Sequence, residues 1–84
     1  MHYFYVLQSS QTKEQFYFGC TSNLRKRLES HNANSNGSTK GNTWRLVYYE
    51  AFLTLSAARQ REYRVKHHGS AKRFLMDRIR TTLE

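Results

Sequence analysis

FYFGCTSNLRKRLESHN, at residues 16–32, is the stretch of sequence that decides the fold. Its aromatic first part, together with the preceding glutamine, predicts a strand over residues 15–20. Thr21 or Ser22 then stands where a helix cap is expected, and the residues that follow have helical period. The inward stripe of that helix has the spacing i, i+4, i+7 and consists of Leu24, Leu28 and His31. The segment therefore predicts a strand that leads directly into a helix.

A second strand is predicted just upstream, over residues 3–8 (YFYVLQ), which are aromatic or β-branched almost throughout. Apolar side chains occupy both alternating sets of positions, so we expect both faces of this strand to be covered. The polar segment between the two strands is about six residues long, which is short enough for a hairpin.

Two more helices and one more strand follow. The Asn-, Ser- and Gly-rich residues 32–43 predict a surface loop, and WRLVYYEAF at residues 44–52 predicts a third strand. Ser56 is expected to cap the next helix, whose inward stripe consists of Leu55, Ala58, Glu62 and Val65. Gly69 is expected to end that helix. Ser70 is expected to cap the last helix, whose inner face is predicted to contain Phe74, Leu75, Arg78 and Ile79. The predicted order is β-β-α-β-α-α, in one domain over residues 1–84.

The charge of the chain favours a polyanionic partner. Fourteen Lys and Arg against six Asp and Glu give a net charge of +8, for which nucleic acid is the first candidate and a membrane surface the second. No apolar run approaches the roughly 18–20 residues of a membrane-spanning helix, and the first residues do not resemble a signal peptide. A single cysteine excludes an internal disulfide and a multi-cysteine metal site, so we expect a cytoplasmic protein.

Glu62 is the first candidate for chemistry, because it lies between Ala58 and Val65 in an apolar helix stripe. A carboxylate directed inward is costly unless it is paired or binds a metal ion. The alternative is that Glu62 lies at the edge of the stripe and pairs with a Lys or Arg.

Arg27 and His31 are one helical turn apart and so share a face. Arginine can bind two phosphate oxygens, and histidine can carry a proton, contact phosphate or bind a metal. The alternative is a solvated basic helix with a histidine at its C-terminal end.

Tyr5 and Tyr17 lie on the two arms of the predicted hairpin, and Gly19 follows in the second arm. The tyrosines are ordinary sheet aromatics unless their hydroxyls converge on a polar site. A glycine within a strand indicates a bulge or the close approach of another group. Because Asp77 is the only aspartate, an acidic two-metal site is disfavoured. A metal held by few protein ligands is expected instead, as is typical of Mg²⁺.

In its motifs the chain resembles the GIY-YIG nuclease superfamily, and specifically its compact single-domain members. The first motif corresponds to Tyr3-Phe4-Tyr5 and the second to Tyr17-Phe18-Gly19. The arginine expected ten residues after the second tyrosine is Arg27, followed by a histidine one turn later. The glutamate helix of the family is matched by a further set of residues, namely Ala58, Arg61, Glu62 and Lys66.

The resemblance implies an α+β fold with a three-stranded antiparallel sheet flanked by helices, and a site on one sheet face. It implies five catalytic residues, which are Tyr5, Tyr17, Arg27, His31 and Glu62. Glu62 would be the sole protein ligand of Mg²⁺ or Mn²⁺, Tyr17 would activate or position water, and Tyr5 would orient the water or the phosphate. Arg27 would stabilise transition-state charge, assisted by His31. The expected activity is hydrolysis of nucleic acid, DNA rather than RNA, in DNA repair or recombination.

Phosphate contacts that give affinity without base recognition are expected from basic side chains, namely Arg25, Lys26, Lys40, Arg45, Lys66 and Lys72. Specificity is expected to be weak or to come from a protein partner. Two alternatives stay open. One is a nucleic-acid-binding module of the same fold with little or no catalysis, favoured by Cys20, where some family members have lysine, and by the lack of a late asparagine. The other is an interaction protein whose charge serves solubility.

Overall fold

The computed structural model of the chain describes residues 1–33 and 43–83. Three strands and three helices follow the predicted order β-β-α-β-α-α. Their bounds are β1 His2–Ser9, β2 Phe16–Thr21, α1 Leu24–Asn32, β3 Trp44–Phe52, α2 Leu55–His67 and α3 Gly69–Leu83. None of the described helices is both long enough and apolar enough to cross a membrane.

The sheet is antiparallel, as expected. Its strand order is β2-β1-β3, so β1 is the central strand. Tyr5 in the middle of β1 pairs with Gly19 on one side and with Tyr49 on the other. A register shift interrupts the β1–β3 pairing at one point, between Val6 and Leu7. Because Val6 pairs with Tyr48 and Leu7 with Leu46, the extra residue of this β-bulge is residue 47.

Side chains from both faces of β1 are buried, which confirms the prediction for this strand. One face carries Phe4 and Val6 and packs against α2 and α3 through Val65, Leu75, Met76 and Ile79. We call this the two-helix face. The other face carries Tyr5 and Leu7 and packs with Trp44, Tyr17, Leu46 and the α1 residues Leu24 and Leu28. We call this the tyrosine face.

The caps of the first two helices differ from the predictions. Asn23, rather than Thr21 or Ser22, caps α1, because its side chain accepts a hydrogen bond from the Lys26 N–H at 3.0 Å. The Thr21 hydroxyl instead accepts from the N–H of Asn23 at 3.1 Å. Thr54, rather than Ser56, caps α2 by accepting from the N–H of Ala57 at 3.1 Å.

The junction of α2 and α3 also corrects the predictions. α2 ends at His67, and Gly69 is the first residue of α3 rather than a helix stop, so Ser70 lies within that helix instead of capping it.

The inner face of α3 is rotated relative to the prediction. Leu75 and Ile79 are buried as expected, but Met76 completes the face. Phe74 is 66% exposed and Arg78 is also exposed, so both predictions were wrong. The rotation is set by packing against the sheet, because Leu75, Met76 and Ile79 all join the core of the two-helix face.

Candidate active site

Tyr5 and His31 form a buried polar pair at the centre of the tyrosine face. The Tyr5 hydroxyl lies 3.0 Å from Nε2 of His31, and both residues are almost fully buried. Burial, followed by the positive charge of Arg27, lowers the pKa of His31, so its imidazole is neutral at pH 7. Burial, followed by interaction with Tyr17, raises the pKa of Tyr5, so its hydroxyl keeps its proton. With the imidazole proton on Nδ1, the Tyr5 hydroxyl donates this hydrogen bond to Nε2 of His31.

Gly19 makes room for this pair. A Cβ atom at residue 19 would lie 2.6 Å from the Tyr5 hydroxyl oxygen and 2.7 Å from Cζ of the same ring. The predicted close approach is therefore made by Tyr5, which lies across the backbone of β2, and the pairing of β1 with β2 shows no bulge here.

Tyr17 lies beside the same histidine but is only partly buried. Its ring meets the His31 ring edge-on at a centroid distance of 4.7 Å and the Tyr5 ring at 6.3 Å. Among residues 1–33 and 43–83, no hydrogen-bond partner of its hydroxyl is found. Of the two tyrosines, Tyr17 is therefore the one whose hydroxyl is open to water or substrate.

Arg27 places a permanent positive charge next to this aromatic cluster. It is half-buried on α1, and its charge lowers the pKa of His31 and opposes the rise in the pKa of Tyr5. Beside it is a cavity of about 250 Å³ whose lining consists of Thr21, Ser22, Asn23, Lys26, Arg27 and Ser30. Two cationic and several hydroxyl or amide side chains thus border this space, which suits a phosphate group.

Glu62 approaches the cluster from the opposite layer. It belongs to α2, which packs on the two-helix face, and its carboxylate lies beside Cys20. Burial, followed by interaction with the Glu62 carboxylate, raises the pKa of the Cys20 thiol to about 12. The negative charge of Glu62 also contributes to the raised pKa of Tyr5. Tyr5 and the helix that carries Glu62 thus pack on different faces of the sheet, and the charge of Glu62 nevertheless acts on the Tyr5 hydroxyl.

Lys66 occupies one oxygen of the Glu62 carboxylate. The Lys66 Nζ lies 2.7 Å from Oε2, and the side chain of Glu62 is 23% exposed. This is the ion pair that the alternative interpretation of Glu62 predicted. An exposed pair of this kind contributes little to stability and is readily exchanged.

The donors near Glu62 restrict which metal ion could bind. No group of three or more His, Cys, Asp or Glu side chains is placed to hold a metal within the described part of the chain. Cys20 is a protonated thiol that donates to the Ala58 carbonyl at 3.3 Å, so it is not a ligand. A single carboxylate fits a hard ion such as Mg²⁺, which keeps several waters and takes substrate phosphate oxygens as ligands.

The predicted phosphate contacts do not form one surface. Arg25 and Lys26 are exposed on α1, beside the tyrosine face. Arg45 instead donates two hydrogen bonds to Oε1 of Gln8, at 2.9 and 2.7 Å. Lys72 lies over the ring of Phe18 at 5.6 Å, on the two-helix side, and Lys66 pairs with Glu62 as described above. Lys40 lies outside the described residues.

A further network next to Glu62 was not predicted from the sequence. Arg61 binds the Glu50 carboxylate through Nε at 2.9 Å and Nη2 at 3.1 Å, and the Tyr48 hydroxyl donates to the same carboxylate. The network joins β3 to α2 at the residue before Glu62 and so fixes the rotation of that helix. Arg61 was recognised as a motif residue, but no sequence pattern indicated Glu50 as its partner.

Comparison with known proteins places these features in a family. The family model described as the GIY-YIG catalytic domain matches residues 1–74. The chain is 36% identical over 74 residues to a UPF0213 protein of Haloquadratum walsbyi, with 86% of this chain and 81% of the relative covered. It is 39% identical to a UPF0213 protein of Natronomonas pharaonis, covering 86% and 85%. It is 38% identical to a UPF0213 protein of Lactiplantibacillus plantarum, covering 83% and 71%. No solved structure matches.

Proposed function

Since the chain belongs to the GIY-YIG catalytic domain family, we propose that it is a metal-dependent endonuclease that hydrolyses phosphodiester bonds in nucleic acid, with DNA preferred to RNA. The observation that carries this proposal is the cluster of Tyr5, Tyr17 and His31, in which one phenol is buried and bonded and the other is open. The charges of Arg27 and Glu62 both act on the hydroxyl of Tyr5.

The two tyrosines take different roles in this proposal. Tyr17 positions the attacking water, because its hydroxyl is open and is not engaged by any described residue. To act as the base, the Tyr17 hydroxyl first releases its own proton to solvent, and the phenolate then accepts the proton of the attacking water. Tyr5 keeps its proton and donates to His31, so its oxygen can only accept a further hydrogen bond, for instance from the attacking water. Tyr5 therefore orients the water and does not deprotonate it.

Arg27 stabilises the negative charge that develops on phosphorus oxygens in the transition state, and neutral His31 holds Tyr5 in place. Glu62 would hold the divalent ion, Mg²⁺ or Mn²⁺, after Lys66 releases its carboxylate. When bound, such an ion supplies Lewis-acid stabilisation of a phosphate oxygen and of the leaving group. Lys66 is then free to contact a substrate phosphate.

A second candidate function is nucleic-acid binding by the same fold without useful catalysis. The Lys66–Glu62 ion pair favours it, because the lysine competes with any metal for the carboxylate. In either case the proposed partner is nucleic acid, with sequence or structure preference supplied by a further protein, and the proposed setting is DNA repair or recombination in the cytoplasm.

The test is a cleavage assay on supercoiled plasmid, branched DNA and structured RNA, with Mg²⁺, Mn²⁺ or EDTA. We expect metal-dependent cutting that falls about 100-fold or more in Glu62→Ala and in Tyr17→Phe. Glu14→Ala is the matched control, because Glu14 is an exposed carboxylate paired with Arg80. Its activity should equal that of the wild type.

Each alternative outcome has a definite meaning. If the wild type and the variants bind nucleic acid equally and none of them cuts it, the function is nucleic-acid binding and the endonuclease proposal is wrong. Cutting that survives Glu62→Ala would contradict the metal-ligand assignment. A faster reaction on RNA than on either DNA substrate would contradict the preference for DNA.

A further inference from the structure

The exposed side of α2 carries an aromatic ring in an open, basic groove. Tyr63 is 60% exposed, and one face of its ring stacks on His67 with centroids 4.2 Å apart and planes inclined by 29°. The His68 ring meets Tyr63 edge-on at a centroid distance of 6.5 Å. Because Tyr63 is 60% exposed with both histidines in place, ring surface remains available to a planar ligand. His67 also restricts the rotation of the tyrosine side chain, so less entropy is lost when a ligand stacks on it.

The groove around this ring has a volume of about 690 Å³. Its lining includes Leu55, Arg59, Gln60, Tyr63, Arg64 and His68. Among the described residues that line it, none is acidic. Neither Arg59 nor Arg64 takes part in the ion pairs found in residues 1–33 and 43–83. Their guanidinium groups are thus available for phosphate.

The groove adjoins the candidate active site. Arg59 precedes Glu62 by three residues on α2, so the two side chains are neighbours on the surface of the helix. Arg59, Tyr63 and His67 are spaced i, i+4, i+8 on α2, so they form one ridge about 12 Å long. A strand whose scissile phosphate lies near Glu62 would therefore continue along this ridge.

We propose that Tyr63, flanked by Arg59 and Arg64, is a stacking platform for an unpaired base of single-stranded DNA that runs along α2 from the candidate active site. An exposed ring beside unpaired arginines is the arrangement that binds single strands without sequence preference. A duplex cannot use the platform, because its bases are stacked on one another and offer no free face. The choice of DNA rests on the proposed function, whereas the platform itself rests on the geometry of α2.

The test measures binding without cleavage. The full chain is titrated in EDTA with fluorescent oligothymidylate, with a blunt DNA duplex and with oligouridylate of the same length. A second oligothymidylate carries one 2-aminopurine, whose fluorescence is quenched when it stacks on an aromatic ring. The variants are Tyr63→Leu, which removes the ring, and Tyr63→Phe, which keeps it. Leu53→Ala is the control, because Leu53 is an apolar side chain that is 86% exposed just before α2.

We expect Tyr63→Leu to weaken binding of the single strand about tenfold and to abolish the quenching. We expect Tyr63→Phe and Leu53→Ala to bind and quench as the wild type does. Duplex affinity should be the same in all four proteins. Unchanged single-strand binding by Tyr63→Leu would overturn the proposal, as would an equal loss on duplex or tighter binding of oligouridylate than of oligothymidylate.

A parallel cleavage assay separates this inference from the proposed function. If Tyr63→Leu weakens single-strand binding but the wild type cuts no substrate, the endonuclease proposal is wrong and the proposal of a stacking platform is supported. If cutting depends on Glu62 while Tyr63→Leu binds normally, the platform is wrong and the endonuclease stands.

Discussion

Replacing Gly19 with alanine is expected to disrupt the candidate site from within the sheet. The added Cβ would lie 2.6, 2.7 and 3.0 Å from Oη, Cζ and Cε1 of Tyr5, which is closer than such contacts allow. The Tyr5 ring cannot move freely, because it is buried and its hydroxyl is bonded to buried His31 at 3.0 Å. Either the ring shifts and the hydrogen bond breaks, or the two strands separate.

The cost follows from these contacts. Overpacking of a filled core costs about 1–3 kcal/mol, and a buried polar group left without its partner costs about 1–3 kcal/mol. The smaller conformational entropy of alanine in the unfolded chain offsets about 0.4–1 kcal/mol. We therefore expect Gly19→Ala to lower the free energy of unfolding by about 3 kcal/mol, a large share of the roughly 5–15 kcal/mol typical of a domain.

Urea denaturation followed by circular dichroism measures this change, and a double-mutant cycle assigns its cause. In a Tyr5→Leu background the ring is absent, so adding Gly19→Ala should cost less than about 1 kcal/mol. The coupling energy between the two positions should then be about 2 kcal/mol or more. Wild-type stability of Gly19→Ala, or the same loss in both backgrounds, would refute the close approach of Tyr5 as the reason for glycine.

Three further predictions concern contacts around the site. His31 has a lowered folded-state pKa, so its stabilising contribution is present above pH 6.5 and is lost as the pH falls below that value. His31→Gln should therefore flatten the fall in unfolding free energy between pH 6.5 and 5 by up to about 1.4 kcal/mol per pH unit, measured by urea denaturation; an unchanged slope would contradict this. Asn32→Ala removes two hydrogen bonds to the backbone of Trp44, at 3.0 and 2.6 Å, and should cost about 1–2 kcal/mol in thermal denaturation; an unchanged midpoint would show that the bonds do not stabilise the fold. Glu50→Gln weakens the two-point pair with Arg61 and should lower the free energy of unfolding by about 1 kcal/mol and also reduce cleavage; full activity would mean that this pair does not position α2.

The sequence was sufficient to predict the strands and their order, because aromatic and β-branched runs bounded by polar residues are a local signal. Residues 44–52 were predicted as a strand and form β3 with the same bounds. The caps were predicted less well. Thr21, Ser22 and Asn23 are all suitable cap residues in a row, and packing of α1 on the sheet decides which one begins the helix. Gly69 shows the same limit, because a glycine need not end a helix when the backbone there is helical.

The site was predictable only in part, for a similar reason. Helical spacing places Arg27 and His31 on one face, and the structure shows both of them near Tyr5. The face of the sheet on which α2 packs depends on tertiary contacts, and no local sequence pattern predicts it. The family resemblance supplied the combination of residues, but the position of Glu62 beside Cys20, and its ion pair with Lys66, required the three-dimensional structure.

Tyr5 and Tyr17 have the same side chain, and their proposed roles differ because their surroundings differ. Both lie on the tyrosine face of paired strands, yet only Tyr5 lies across Gly19, and this deep position brings its hydroxyl to His31. A histidine with a raised pKa would be cationic near pH 7, and its Nε2 would then carry a proton and could not accept from Tyr5. Burial and Arg27 prevent this by lowering the pKa of His31. The same arginine that suits a phosphate therefore also helps to keep the histidine neutral, and Tyr17 is the phenol whose hydroxyl is open to the attacking water of the proposed reaction.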